Sequence, residues 1–152
     1  MKFLCDSMLV GLARYLRFLG HDVEVVSSFK SATQHFAQFK ERIFLTTSPT
    51  HWHHWPGAQK QLIPSERLEE QFRRLSQALP ILQELNFLSR CSRCNVEIKP
   101  VEKSIVKQAV PATVYQRVNQ FYHCPKCNRI YWEGGHVVRL KDKLRHWGVP
   151  LD

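Results

Sequence analysis

Acidic side chains are in short supply in this chain. Its 152 residues include 13 Asp and Glu against 22 Lys and Arg, for a formal net charge of +9. A basic surface points to an anionic partner, most often nucleic acid. The plainer alternative is a basic protein that is merely soluble. Long apolar runs are missing as well: no window approaches about 18 uninterrupted apolar residues, which speaks against a membrane-spanning helix. The opening stretch MKFLCDSML meets an aspartate at position 6, so it lacks the apolar core of a signal peptide, and a cytoplasmic address is the default expectation. Internal repeats and low-complexity tracts are also absent.

The remainder is the composition of a folded protein, with 43% apolar residues. At this length folding buries roughly 68–70% of the unfolded surface. The charge is lopsided. Residues 1–88 carry 10 basic and 8 acidic side chains, a net of +2, whereas residues 89–152 carry 12 and 5, a net of +7.

Lys2 to Cys5 reads as a strand, followed by Asp6 and Ser7, both good helix caps. Leu9, Leu12, Ala13, Leu16 and Leu19 then recur at helical spacing, and Gly20 is a natural stop. Asp22 to Val26 is β-branched and reads as a second strand. A short helix capped by Ser31 runs through Phe39, and Arg42 to Thr46 is a third strand. Strand and helix in alternation predict an α/β domain built on a parallel sheet. The segment Thr47 to Pro64, rich in His, Trp, Pro and Gln, reads as a long loop. Ser65 opens a helix with Leu68, Phe72, Leu75 and Leu79 inward, limited by Pro80. A boundary near Asn86 to Arg90 divides the chain into an α/β domain, residues 1–88, and a smaller module, residues 89–152. The module holds two short aromatic strands and a basic amphipathic helix from His136 to Trp147.

Cys91, Cys94, Cys124 and Cys127 form two Cys-x-x-Cys pairs. Each short loop presents two thiolates, so two loops make a tetrahedral zinc site. Two disulfides or a redox motif are the competing arrangements, and a disulfide framework suits small secreted proteins. Cys5, within a strand, reads as a small buried apolar residue. Asp6 stands at the C-terminal end of the first strand, where open α/β sheets place ligands. A carboxylate there suits Mg²⁺ or Mn²⁺, and it suits equally well the capping of the next helix. Asp22 is either a second acid of that site or a solvated turn residue.

These stretches resemble a known family. FLCDSMLVGLARYLRFLGHDV, ERIFLTT, the two cysteine pairs and YWEGGH are similar to the mut-seven C-terminal family of PIN-like ribonucleases. The resemblance spans about Lys2 to Leu144. It implies a PIN-like three-layer domain with a parallel sheet, followed by a zinc ribbon, and RNA cleavage with Mg or Mn. It places the first metal-site aspartate at Asp6, a second acidic position at Asp22, and a phosphate-holding basic pair at Arg14 and Arg17. The family's third strand ends Thr-Arg-Asp, and here the residues are Thr46, Thr47 and Ser48. The catalytic set Asp6, Asp22 and Ser48 is therefore depleted by one carboxylate. A replacement ligand has three sources: a phosphate of the substrate itself, an imidazole from His51, His53 or His54, which otherwise belong to an exposed loop beside Trp52 and Trp55, or an acid among Glu66, Glu69 and Glu70.

With four cysteine ligands the zinc is expected to be structural. Arg90, Arg93, Lys126 and Arg129 stand near the cysteine pairs and suit phosphates, with single-stranded RNA the favoured partner; His136 either joins them or hydrogen-bonds the ribbon. The aromatic residues Phe121, Tyr122, Tyr131 and Trp132 either stack on bases or form the module's core. Two further readings stay open: a catalytically inactive binder of RNA or a ribonucleoprotein, and a ribbon that engages DNA or a protein partner.

Overall fold

The structure is a computed structural model and describes residues 1–151. Four strands, β1 (Lys2–Cys5), β2 (Asp22–Val25), β3 (Ile43–Thr46) and β4 (Lys60–Leu62), form one sheet in the order β2-β1-β3-β4. All three pairings are parallel. The central strands β1 and β3 are covered on both faces, which is why they read as unbroken apolar runs. On one face Phe3, Cys5, Val23 and Leu45 pack with Leu12 and Leu16 of α1 (Val10–Phe18) and Phe72 and Leu75 of α4 (Leu68–Ala78). On the other, Leu4 and Phe44 pack with Ala32 of α2 (Phe29–Gln34) and with Trp55, which follows α3 (Pro49–His54). The domain thus has three layers, a parallel sheet between two sets of helices. Gly20, just past α1, has a φ of +102°. A Cβ there would lie 2.6 Å from the Asn86 carbonyl oxygen, so the position needs glycine for both conformation and space.

The stretch from Thr47 to Pro64 is not a loop. It folds into α3 and β4. Ser48 caps the helix by accepting a hydrogen bond from the His51 N–H at 3.1 Å, and Pro49 takes the first helical position, where its missing N–H costs nothing. Trp55 is buried and stacks on Phe44 at 4.4 Å. The helix has 6 residues and the strand 3, too few for periodicity to register among so many aromatic and histidine side chains. The second helix is also shorter than expected. It is capped by Ser28, not Ser31, and α2 ends at Gln34 before a 3-10 turn at Phe36–Gln38.

Beyond residue 88 an antiparallel sheet of β5 (Lys99–Val101), β6 (Phe121–His123) and β7 (Ile130–Tyr131) lies in the order β5-β6-β7. β6 and β7 are the expected aromatic strands. β5 and the short α5 (Ala112–Arg117) are additions. Phe121 is fully buried and, with Val106, Val110 and Trp132, belongs to a small local core. The last helix, α6 (Gly135–His146), lies against the α/β domain. Trp147 at its end meets Tyr15 of α1 at 5.0 Å and Phe72 of α4 at 5.4 Å. Val137, Leu144, Cys91 and Cys124 join the same apolar cluster as Phe3 and Leu12, so one core runs through the proposed boundary. Among the described residues no helix is long and apolar enough to cross a membrane.

Candidate functional site

β1 connects to β2 on one side, and the chain then crosses back to β3 on the other. This reversal leaves a crevice at the C-terminal ends of β1 and β3, the place where open α/β sheets bind ligands. Asp6 stands there, 2% exposed. Its Oδ1 accepts from the Ser7 N–H at 3.0 Å, so it does cap the turn at Ser7–Leu9. Its Oδ2 accepts from the Thr46 hydroxyl at 2.7 Å and pairs with His51 Nδ1 at 2.5 Å. The local sequence explains this convergence. Ser48 follows β3 by two residues and caps α3, and His51, one turn into the helix, is returned over the sheet edge onto Asp6. The Ser48 N–H donates to Thr46 Oγ1 at 3.0 Å, which aims the threonine's own proton at the aspartate. At this position, where the resemblance placed an acid, Ser48 supplies a cap and no charge.

The His51 ring is fixed on its face as well. It stacks on Phe29 with centroids 4.0 Å apart and planes 2° from parallel. About a third of the side chain (33%) is open to solvent, and no described residue hydrogen-bonds its Nε2. His53 and His54 lie exposed on α3, with His54 Nδ1 2.8 Å from the Thr50 carbonyl. Glu69 and Glu70 pair with Arg73 and Arg74 along α4, and Glu66 is exposed.

Asp22 is not brought to Asp6. It pairs in register with Lys2, at the end of the sheet where β1 begins. Arg42 Nη1 donates to its carboxylate at 2.8 Å and Asn95 Nδ2 at 2.7 Å. Burial pushes the carboxyl up, but these donors outweigh it and hold it below its ordinary value. A hard divalent cation is held by carboxylates, carbonyls and waters. Near Asp6 the side chains are one carboxylate with both oxygens engaged, one imidazole and hydroxyls. Among the described residues the one group of three or more metal-ligating side chains is elsewhere, at the four cysteines. The Asp6 donor set does not fit a magnesium or manganese site.

The four cysteines do fit a metal. Their sulfurs all lie within 4.8 Å of one another, and Cys91 and Cys127 Sγ are 3.8 Å apart. Zn–S bonds of about 2.3 Å require tetrahedral edges of about 3.8 Å, and every cysteine in the structure is free of disulfides. The group can hold a zinc ion. Each knuckle is closed by an asparagine. Asn95 and Asn128 adopt φ of +67° and +61°, and their N–H groups return to the Cys91 and Cys124 carbonyls at 2.9 and 2.8 Å. The repeated Cys-x-x-Cys-Asn is the sequence signal for these two. Asn95 also accepts from the Val23 N–H at 2.8 Å while donating to Asp22, so the first knuckle is pinned to β2.

The basic candidates divide between two surfaces. Arg14, Arg93, Arg129 and His136, all exposed, meet around one cleft of about 390 Å³, with Arg90, Tyr15 and Tyr131 also in its wall. Four separate parts of the chain supply them: α1, the two knuckles and the start of α6. Arg17 and Lys126 face a different hollow beside Asp22 and Arg42. Arg17 is buried, and its guanidinium donates to the Val23 carbonyl at 2.8 Å and the Ser92 carbonyl at 2.9 Å. It ties the first knuckle to the sheet, and burial lowers its affinity for its proton.

The model of one protein family, the Mut7-C RNAse domain, matches residues 1–144 of this chain. No curated protein and no solved structure matches it.

Proposed function

The chain belongs to the Mut7-C RNAse domain family, and on that premise we propose that it is a ribonuclease-type protein that grips single-stranded RNA in the basic cleft. The observation that carries this reading is the meeting of Arg14, Arg93, Arg129 and His136 at one cleft. Guanidinium groups neutralise phosphates and make paired hydrogen bonds to them, and Tyr15 and Tyr131 offer aromatic surface beside them. α1 links this cleft to Asp6, since it starts beside the aspartate and carries Arg14 into the cleft wall. The zinc at Cys91, Cys94, Cys124 and Cys127 is structural in this reading, with four protein ligands and no open position for chemistry. It holds Arg93 and Arg129 at their places on the knuckles.

A second reading, a non-cutting RNA binder, draws on a specific observation. Ser48 stands where the resemblance implies a third-strand acid, and Asp22 lies at the far end of the sheet from Asp6, so the divalent-metal chemistry that the resemblance implies lacks ligands here. One pair of measurements tests both. Binding of labelled single-stranded RNA is expected to weaken steeply with salt, and Arg93→Ala and Arg129→Ala are each expected to reduce the salt slope by about one. A flat salt profile, or equal preference for duplex DNA, would sink the proposal. Cleavage of the same RNA with Mn²⁺, Mg²⁺ or EDTA, alongside Asp6→Asn, then separates the cutting reading from the binding one.

A further inference from the structure

We propose that the Asp6–His51 pair is a metal-free cutting centre, in which His51 Nε2 acts as general base on the 2′-hydroxyl of bound RNA. This rests on the reading of the chain as RNA-directed and deepens it. Asp6 occupies the ligand crevice of the sheet yet is the single carboxylate described there, and both its oxygens are taken by donors. What the arrangement does provide is an oriented imidazole. Asp6 receives Nδ1–H, which fixes the tautomer and leaves the Nε2 lone pair free to accept a proton. Phe29 fixes the ring plane by parallel stacking. The Ser48 cap fixes the helix turn from which His51 projects. The Nε2 side is the part that no described residue engages, and a third of the side chain is open to solvent. A histidine retained only for packing has no need of a buried carboxylate, a threonine hydroxyl and an aromatic face all aligning it toward solvent.

The step balances without a metal. The 2′-oxygen attacks the adjacent phosphorus while its proton passes to His51 Nε2. The P–O5′ bond breaks, and the departing 5′-oxygen takes a proton from water. The resulting hydroxide is neutralised by the imidazolium, which restores the base. The products are a 2′,3′-cyclic phosphate and a free 5′-hydroxyl. Asp6 touches no substrate and is a positioning residue. It keeps the imidazole in the tautomer whose Nε2 accepts, and it stabilises the imidazolium as it forms.

The test uses the full chain and single-stranded RNA in EDTA, with end-group analysis of the products. Expected are EDTA-resistant cutting, 2′,3′-cyclic ends, and no cutting where the nucleotide 5′ to the scissile phosphate is 2′-deoxy. His51→Ala is expected to lose about 10²–10⁴-fold in rate, with partial rescue by added imidazole, which a purely structural role would not show. Asp6→Asn is expected to lose about 10²-fold or more while RNA affinity stays near wild type, and its melting temperature falls because a buried amide N–H₂ replaces an oxygen that accepts two donors. The wild-type arms stand even if a variant misfolds. Cutting that requires Mn²⁺ or Mg²⁺, 5′-phosphate products, or cleavage of the 2′-deoxy substrate would overturn the proposal. So would RNA that is bound with the expected salt slope but never cut, which leaves the binding reading intact. Loss of salt-sensitive RNA binding itself would instead bring down the function on which the proposal rests.

Discussion

Asp6, His21 and Asp22 are all titratable and at least partly buried, yet each is treated differently by its surroundings. Asp6 has three donors and lies in the crevice, Asp22 is held by Arg42 and Asn95, and His21 is kept neutral. The His21 ring is 1% exposed, with Nε2 2.8 Å from the Ile81 carbonyl. Burial lowers its pKa below the ordinary 6.5. The unfolded chain therefore takes up a proton as pH falls through 6.5, while the folded chain does so only at lower pH. Its contribution to stability is full above that pH and declines below it, with a limiting slope of about 1.4 kcal/mol per pH unit. Urea midpoints measured on both sides of that pH are expected to fall for the wild type and to fall less for His21→Gln, whose amide can still donate to Ile81. Parallel curves would contradict this assignment. Cys5, by contrast, is pushed up to about 12 by burial and behaves as an apolar core residue with no thiolate chemistry.

The elements depend on a few end residues. Ser48 decides where α3 starts, and through α3 it decides whether His51 reaches Asp6. Ser48→Ala is expected to cost about 0.5–2 kcal/mol in stability. Ser48→Asp, which keeps a capping oxygen, should cost less. Chemical denaturation of both variants checks the order, and equal losses would mean that the cap does not hold the helix. At the end of α1, Gly20 has a left-handed φ and the Asn86 backbone against it. The contact matters because the Asn86 N–H returns to the Leu19 carbonyl at 2.9 Å and leads the chain from the α/β domain toward the first knuckle. Gly20→Ala is expected to destabilise by about 1–3 kcal/mol from backbone strain, before any displacement of Asn86 is counted. A melting temperature equal to wild type would show that the turn relaxes freely.

At the scale of the whole molecule, the four-cysteine module and the α/β domain share their apolar interior. Cys91 and Cys124 lie in the same cluster as Phe3, Leu12 and Phe72, and α6 returns to cover α1 and α4. Metal binding in such small modules supplies folding free energy, of order 10–16 kcal/mol in isolated zinc-finger peptides. Chelation, or Cys124→Ser, is therefore expected to unfold the ribbon and also to lower the stability of the α/β domain, because Arg17, Asn95 and α6 lose their anchorage together. Near-UV circular dichroism, which reports Trp132 and Trp147, and thermal melting with and without chelator read this directly. An unchanged spectrum, or a domain melt unaffected by chelator, would show that the cysteines hold no structural ion.

Much of this protein was decided locally and could be read from the chain. Adjacent residues form β1, β2, β3, α1 and α4, and their apolar spacing states which faces are buried. The cysteine pairs give a group that can hold a tetrahedral metal ion, because its four thiols come in two short loops. The three-layer order follows from strand and helix alternation together with the handedness of crossovers. Other features rest on residues far apart in sequence. His51 reaches Asp6 only because β3 lies beside β1 and a serine–proline start turns α3 back over the edge, and a stretch of His and Trp carries no period that announces this. Asp22 and Asp6 occupy opposite ends of paired parallel strands, one beginning β2 and the other following β1. The cleft gathers Arg14, Arg93, Arg129 and His136 from four segments that only packing makes neighbours. Composition and spacing determined which chemistries the chain carries, because those depend on residue type and local geometry. Tertiary structure decided which of them meet, because hydrogen bonds and charges act over a few ångströms of space, however distant in sequence their owners are.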